Sequence, residues 1–544
     1  MRRLLLGGAI AALLAGCGEE PEPPRPPAPP RVVGPAVRSS IDARGMNLLV
    51  ILSDTHRADF TSPQDGGRQL TPTLELLARD GIRFPHAYTI TPTSAPSYAS
   101  LLSGLHPEHH GLFYNEQSLS PEIPLLSEQL RADGYTTAAV IGNGYCSARY
   151  GFDRGWDWCW NGLDGTGSYG PGLTDRAIDW LDRRDSSKPF FLFTTYMECH
   201  VPFLFEPVPN LLVERNGEAM GAVRAENGHG NTSVPIRFPP GESVLDLRVL
   251  ENGVVAADPQ NPSQIRLALI RFGDARVQAE SFEGFDEGDG YFRRIDRHAK
   301  IHVRNSSSDS TSTAFVFRAV KDYSNEEMQS NYERGVRSMD REVGRLLAAL
   351  EARGLTESTV VVFLADHGEM LGEHDAWGHL KELYEEDIRI PLVLRIPGGP
   401  RGGVADRPVD LTDVHGALRR LLAETGEFDA EAQRFFPFDD GARTTPIRVA
   451  AYPPEMVDRR YAVIWRGTKL LVDADEDRRE MYDLRMDPQE RRNLWDRRAA
   501  SPEWHEMRGL VEAGAQALRV AETLSLDGLS EEAKAQLEAL GYTN

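Results

Sequence analysis

Two seven-residue apolar runs, Asn47–Ser53 (NLLVILS) and Thr359–Ala365 (TVVVFLA), each lead straight into an aspartate, Asp54 and Asp366. Apolar residues without polar alternation describe a strand covered on both faces, and such strands belong to parallel sheets packed between helices. Three more runs fit this pattern: Thr136–Ile141, Pro189–Tyr196 (PFFLFTTY) and Ile390–Ile396 (IPLVLRI). Helical periodicity follows Thr71-Pro72, with proline at the first helical position, and closes at Gly81; a longer amphipathic stretch covers Asn325–Arg353 before Gly354. The alternation predicts an α/β fold, a mostly parallel sheet with helices on both faces. Ligands of such sheets gather beyond the carboxyl ends of the strands, where Asp54, His200, Asp366 and His367 all fall.

Residues 204–322 depart from this rhythm. Short alternating runs such as Ser243–Val249, Ile265–Ile270 and Ala314–Val320 predict a β-sandwich-like insertion. It splits the catalytic region into 46–203 and 323–430, and a small α+β subdomain follows over 431–544, with strand-like Tyr461–Val472.

At the N-terminus, Arg2 and Arg3 precede the apolar run Leu4–Leu14 and then Leu14-Ala15-Gly16-Cys17. The run is too short to span a bilayer and reads as an export signal, residues 1–17. The stretch up to Cys17 resembles the lipobox of bacterial lipoproteins, which implies lipidation of that cysteine. The Pro-rich segment that follows, within 18–45, reads as a tether. The expected location is the periplasm or the cell surface of a bacterium, with the membrane reached through the lipid anchor only. Among the remaining cysteines, Cys146 and Cys159 are the pair expected to form a disulfide by proximity in sequence, with Cys199 free and buried. The formal charge of −22 disfavours nucleic acid as a partner. A negative chain still binds an anionic ester where a metal and a few cations dominate the pocket.

Metal-assisted ester hydrolysis needs hard oxygen or imidazole ligands, a nucleophile beside them and donors for developing charge. Asp54 and the Asp366-His367 pair supply ligands at strand ends. Ser94, two residues before Pro96, falls at the N-terminal end of a predicted helix, where an alkoxide or an anion is favoured. Taken singly, a DHGE tetrapeptide is usually a surface turn and TSAPS a capped loop; the combination in order is much rarer.

With those residues in place, the chain resembles the sulfatase family of the alkaline phosphatase superfamily. Ser94-Ala95-Pro96-Ser97-Tyr98 and the following Ala99–Gly104 resemble its nucleophile motif, and Val362–His374 (VFLADHGEMLGEH) its second signature. Tyr482-Asp483-Leu484, Asp487-Pro488-Gln489-Glu490, Asn493-Leu494 and the closing Leu537–Tyr542 also match.

The resemblance implies one divalent metal on Asp54, Asp366 and His367. Calcium is the family's ion, and zinc or manganese also suit this donor set. It implies Ser94 as nucleophile, His200 as the group meeting the leaving oxygen, and Lys381 on the ester oxyanions. His374 is read as a supporting ligand or acid, with His379 as its substitute. Asn143 and Tyr98 are read as substrate contacts, Arg57 as a brace and Ser97 as a helix-start hydroxyl.

Two departures stand out. Thr55 stands where many sulfatases carry a second aspartate. Tyr98 replaces the arginine that helps signal conversion of the nucleophile to formylglycine. The expected activity is hydrolysis of a sulfate ester, with a sulfated glycan as the substrate class, by Ser94 or its formylglycine form. The alternatives are a phosphate or phosphonate ester hydrolase or a phospho-transferase using unmodified Ser94, and a surface-anchored glycan-binding protein with a decayed site.

Overall fold

Eight strands form the central sheet: β1 (Asn47–Ser53), β2 (Ile82–Arg83), β3 (Thr136–Ile141), β4 (Trp158–Asn161), β5 (Phe190–Tyr196), β6 (Thr359–Ala365), β7 (Leu392–Arg395) and β8 (Gly403–Val404). Their order is β8-β2-β7-β6-β1-β5-β3-β4. The computed structural model describes residues 38–511 apart from 64–65, 162–169, 202–210, 224–231, 252–253, 256–263, 288–292, 296–297, 323–324, 424–425, 430–433, 437, 439–445, 452–459, 474–477, 496–501, 503–504 and 506. The expected signal and lipidation site at Cys17, most of the tether and the closing Leu537–Tyr542 motif lie outside the described residues.

Strands β1, β5 and β6 are buried at every position, as their mostly apolar sequences lead one to expect. Alternate side chains of β1 feed two separate cores. Leu48, Val50 and Leu52 pack with α2 (Ser94–Ser103) and with Leu411–Ala423, a helix on the same face. Leu49 and Ile51 pack on the other face with α1 (Pro72–Arg79), α3 (Gly170–Arg183) and α4 (Asn325–Ala352). Each such aliphatic side chain contributes about 2 kcal/mol by leaving water, which is what holds the β1–β6 pair at the centre.

β6, β1, β5, β3 and β4 run parallel. β7, expected as another parallel strand, runs antiparallel to β6. A parallel return needs a crossover of a dozen residues or more, usually a helix. Between β6 and β7 the chain makes only short pieces, the longest helix being α5 (Glu385–Ile388). The start of α1 is capped from elsewhere in the fold. Thr71 does not cap it with its side chain, and its hydroxyl accepts from the Ser62 amide instead (2.7 Å). The free amides of Thr73 and Leu74 donate to the two carboxylate oxygens of Asp340 on α4, each at 3.0 Å, so the cap comes from a neighbouring helix.

Residues 211–322 build two antiparallel sheets around their own apolar core, which includes Leu211, Val213, Leu245, Ile265, Phe315 and Phe317. Its longest strands are Gly241–Glu251, Gln264–Phe272 and Thr311–Asp322. The tail carries a four-stranded antiparallel meander, Ile447–Ala451, Arg460–Trp465, Thr468–Asp473 and Arg479–Asp483. The single run expected at Tyr461–Val472 is therefore a hairpin. Its turn residues Arg466 and Gly467 both have positive φ (51° and 79°), the backbone a two-residue hairpin needs. No described helix is long and apolar enough to cross a membrane.

A candidate metal centre beside Ser94

Parallel pairing of β1 with β6 sets Ser53 opposite Ala365, so the next residues, Asp54 and Asp366, leave the sheet side by side. Both carboxylates are fully buried. Asp366 Oδ1 accepts the amides of Thr55 (3.1 Å) and His367 (2.9 Å). Asp54 Oδ2 accepts Asn143 Nδ2 (2.7 Å). The remaining oxygens, Asp54 Oδ1 and Asp366 Oδ2, have no hydrogen-bond partner. Burying an unpaired carboxylate oxygen is costly, and such groups are normally paired or coordinate a metal.

His367 completes the set. Its Nδ1 faces the Gly368 carbonyl (2.9 Å), an acceptor, so Nδ1 carries the proton and Nε2 presents a lone pair. Nε2 lies 3.5 Å from Asp366 Oδ2 and 3.3 Å from Ser94 Oγ. Ligand atoms of Asp54, Asp366 and His367 lie within 4.8 Å of one another, the one such group among the described residues. Two oxygens without donors and one imidazole lone pair fit a divalent cation. The protonation states agree. Burial, then the mutual repulsion with Asp366, pushes Asp54 up to about 6, and burial does the same to Asp366. Burial and the nearby His379 hold His367 down at about 3, neutral and ready to coordinate.

Ser94 opens α2. The amide of Ala95 is held by Asn115 Oδ1 (2.9 Å), a contact no sequence pattern announced. Ser97 Oγ donates to the Thr91 carbonyl (2.8 Å) and meets Thr89 Oγ1 (3.0 Å), fixing the entry to the helix. Thr55 takes a left-handed φ of 55°, and Tyr332 Oη donates to its carbonyl (2.6 Å) and accepts the Arg57 amide (2.8 Å). Arg57 is buried and pairs with Asp59 (2.8 Å) and Glu373 (2.9 Å) while donating to the Glu369 carbonyl (3.2 Å), so it braces the loop.

Three imidazoles gather here. The His379 ring centre is 4.6 Å from that of His367 and 5.1 Å from that of His200. His379 Nδ1 lies 3.2 Å from both oxygens of Glu369, whose carboxyl burial pushes up to about 7. At His200, burial opposes the charged form, but Asp54, Glu369 and the Val201 carbonyl outweigh it and raise the imidazole above its ordinary range.

The other expected site residues lie differently. His374 stacks flat on Tyr384, ring centres 3.7 Å apart, and it is His379 that stands at the cluster. Lys381 is exposed, and its carbonyl takes a hydrogen bond from Arg460 (3.2 Å). Left-handed residues at His374, Asp375 and Leu380 reverse the chain repeatedly here, so counting residues does not give direction. Tyr98, expected to meet substrate, is fully buried with its ring edge-on to Phe193 (6.0 Å), and burial, with Cys146, Asp54 and Asp366 nearby, pushes its hydroxyl well above the ordinary range. Asn143 has its amide nitrogen on Asp54 and its oxygen on the Tyr145 amide (2.9 Å). The expected Cys146–Cys159 disulfide is absent: both are free, Cys146 buried and Cys159 exposed. Cys159 sits on edge strand β4 opposite Ala139, while Cys146 lies in a turn beyond the end of β3, so sequence proximity does not become spatial proximity. Cys199 is also free and buried.

Comparison with known proteins agrees with this geometry. The sequence model of the family described as Sulfatase matches residues 46–422. The chain is similar to the N-acetylglucosamine-6-O-sulfatase of Bacteroides thetaiotaomicron, 24% identical over 86% of this chain and 85% of that one. Its fold is similar to that of a protein solved in complex with its substrate D-glucosamine-2-N,6-O-disulfate, at a TM-score of 0.55 and 18% identity over 90% of this chain and 100% of that one. It is also similar to the phosphonate monoester hydrolase of Agrobacterium radiobacter, at a TM-score of 0.54 and 17% identity over 90% of this chain and 98% of that one.

Proposed function

This chain belongs to the sulfatase family and is a hydrolase of sulfuric esters, and we propose that it works with Ser94 as nucleophile beside one divalent cation on Asp54, Asp366 and His367. The observation that carries this reading is the pair of buried carboxylate oxygens without partners, converging with His367 Nε2 next to Ser94 Oγ. When bound, a divalent cation supplies Lewis acidity that lowers the pKa of the nucleophile and offsets charge on the ester oxygens.

The chain's own residues do the rest. The N-terminal end of α2 favours negative charge at Ser94. Asn143 and the Thr55 amide hold the two carboxylates in orientation. Ser94 loses its hydroxyl proton to water as its Oγ attacks sulfur, the bond from sulfur to the alcohol oxygen breaks, and His200, raised towards its protonated form, gives that oxygen a proton and regains one from water. Water then releases sulfate from the serine and restores the hydroxyl.

Calcium is the ion we propose, by family. Unmodified serine is the form we propose, because the position of the family's signalling arginine is filled by Tyr98, turned into the core. A sulfated amino sugar is the proposed substrate class, supported by the N-acetylglucosamine-6-O-sulfatase relative. Anchoring through a lipidated Cys17 at the periplasmic or outer face of a bacterium remains our proposal for location.

The deciding experiment combines activity with the mass of the Ser94 peptide from protein made in its native host. We expect cation-dependent cleavage of sulfated N-acetylglucosamine and an intact serine. Loss of two hydrogens would replace the serine with formylglycine. Cleavage of phosphonate monoesters in place of sulfates would move the enzyme to the phospho-type branch.

A further inference from the structure

Lys469 is completely buried, an unusual place for an ammonium group. It lies on the tail strand Thr468–Asp473, yet its Nζ is 2.8 Å from Glu490 Oε1 and 3.5 Å from Glu385 Oε1. Both carboxylates are buried too. Glu490 is delivered by the Asp487-Pro488-Gln489-Glu490 turn. The Asp487 carboxylate accepts the amides of Arg491 (3.1 Å) and Arg492 (2.8 Å), and Glu490 takes a left-handed φ of 53°, which point its side chain inward.

The second oxygen of Glu490 accepts the amide of Glu385 (2.6 Å), so lysine and glutamate together grip the first residue of α5. The far end of that short helix meets the metal loop. The carbonyls of Asp387 and Glu386 accept the amides of Gly368 (2.7 Å) and Glu369 (3.2 Å). Gly368 sits so close that a Cβ there would collide with the Glu386 carbonyl oxygen. Its own carbonyl is the group that orients the His367 ring. An unbroken set of contacts thus runs from the tail sheet to a candidate ligand.

We infer that Lys469 and Glu490 are positioning residues for the metal loop: the tail subdomain sets the orientation of His367 through α5. The inference rests on the reading of Asp54, Asp366 and His367 as a cation site. Partners one layer removed from a ligand typically change metal affinity or activity by about 10-fold to 100-fold.

The test uses full-length Glu490→Gln and Lys469→Met, with Val463→Ala, buried in the same sheet within an apolar cluster that includes Leu470 and Met481, as the stability control. Three things are measured well below each variant's Tm: affinity for Ca²⁺ and for Mn²⁺, kcat and KM on an aryl sulfate, and amide hydrogen exchange over 366–369. We expect both charge variants to lose about tenfold or more in cation affinity. They should also lower kcat with little change in KM and exchange faster at Gly368 and Glu369. The control should lower Tm alone. Wild-type affinity, kcat and exchange in the charge variants, with only Tm reduced, would overturn the inference. If Lys469→Met fails to fold, Glu490→Gln decides. The exchange readout needs no cation, so a wild-type protein that bound neither ion would end the metal reading while the clamp was still tested.

Discussion

Acidifying the solution should strip the cation from this site long before ordinary carboxylates would release it. Asp54 and Asp366 are both fully buried and both pushed up to about 6 by loss of solvation, with mutual repulsion adding to Asp54. The sign follows directly. A carboxyl with a raised pKa keeps its proton below that value and carries charge only above it, and the cation binds the charged form. At pH 7 both groups are mostly ionised. The two repel and so titrate as a pair: at pH 5 most molecules hold at least one proton there, which weakens binding by about 10-fold to 100-fold, about 1.4 to 2.8 kcal/mol. His367, held at about 3, stays neutral throughout and adds no proton. At the ordinary carboxyl value of 3.8 the same change in pH would alter affinity by less than about 1.2-fold. Calorimetric titration of Ca²⁺ and Mn²⁺ at pH 5, 6 and 7, in two buffers of different ionisation enthalpy, measures both affinity and protons released. Between about one and two protons should leave per cation at the acid end. An affinity flat across that range would mean that burial does not control these carboxyls, and the account of the site would fall.

Three substitutions extend this. Ser94→Ala should lower kcat by about 10³-fold or more while the cation affinity stays at the wild-type value, because its hydroxyl lies beside the ligands and is not one of the three. Asn143→Ala removes the donor to Asp54 Oδ2, so cation affinity should fall about tenfold by the same titration, with the pH midpoint moving upward. Tyr98→Arg, the change that would restore the family's usual residue, should destabilise the fold by about 3 kcal/mol or more, read by urea unfolding, because it puts a charge among Phe193 and the surrounding core. Retention of full stability in that variant would show that the pocket around position 98 opens to the site.

The sequence carried the two acid-ended strands plainly. Unbroken apolar stretches, Leu48–Leu52 in β1 and Val360–Ala365 in β6, leave no face for water, and the parallel registration of the two strands puts Asp54 and Asp366 together. α4 was equally legible, its periodicity predicting Asn325–Arg353 against an observed Asn325–Ala352. Where contacts depend on loop direction, the sequence was silent. The turn from Gly372 to Leu380 passes through several left-handed residues, so His379 rather than His374 or Lys381 arrives beside His367. The antiparallel course of β7 depends on the absence of a crossover helix, which apolar content alone does not reveal. No sequence pattern marks Lys469 or Glu490 as buried, since only the packed structure excludes water from them.

Thr55 and Asp366, joined by a hydrogen bond, are 311 positions apart in the chain. Everything between them, including both sheets built from 211–322, must be made and set aside before β6 can dock against β1. Closing so long a loop is entropically unfavourable and comes late in any folding sequence. A nascent chain that has reached position 358 owns Asp54 and Ser94 and still has nowhere to put a cation. Binding of a cation across Asp54, Asp366 and His367 would therefore report that β6 has docked against β1.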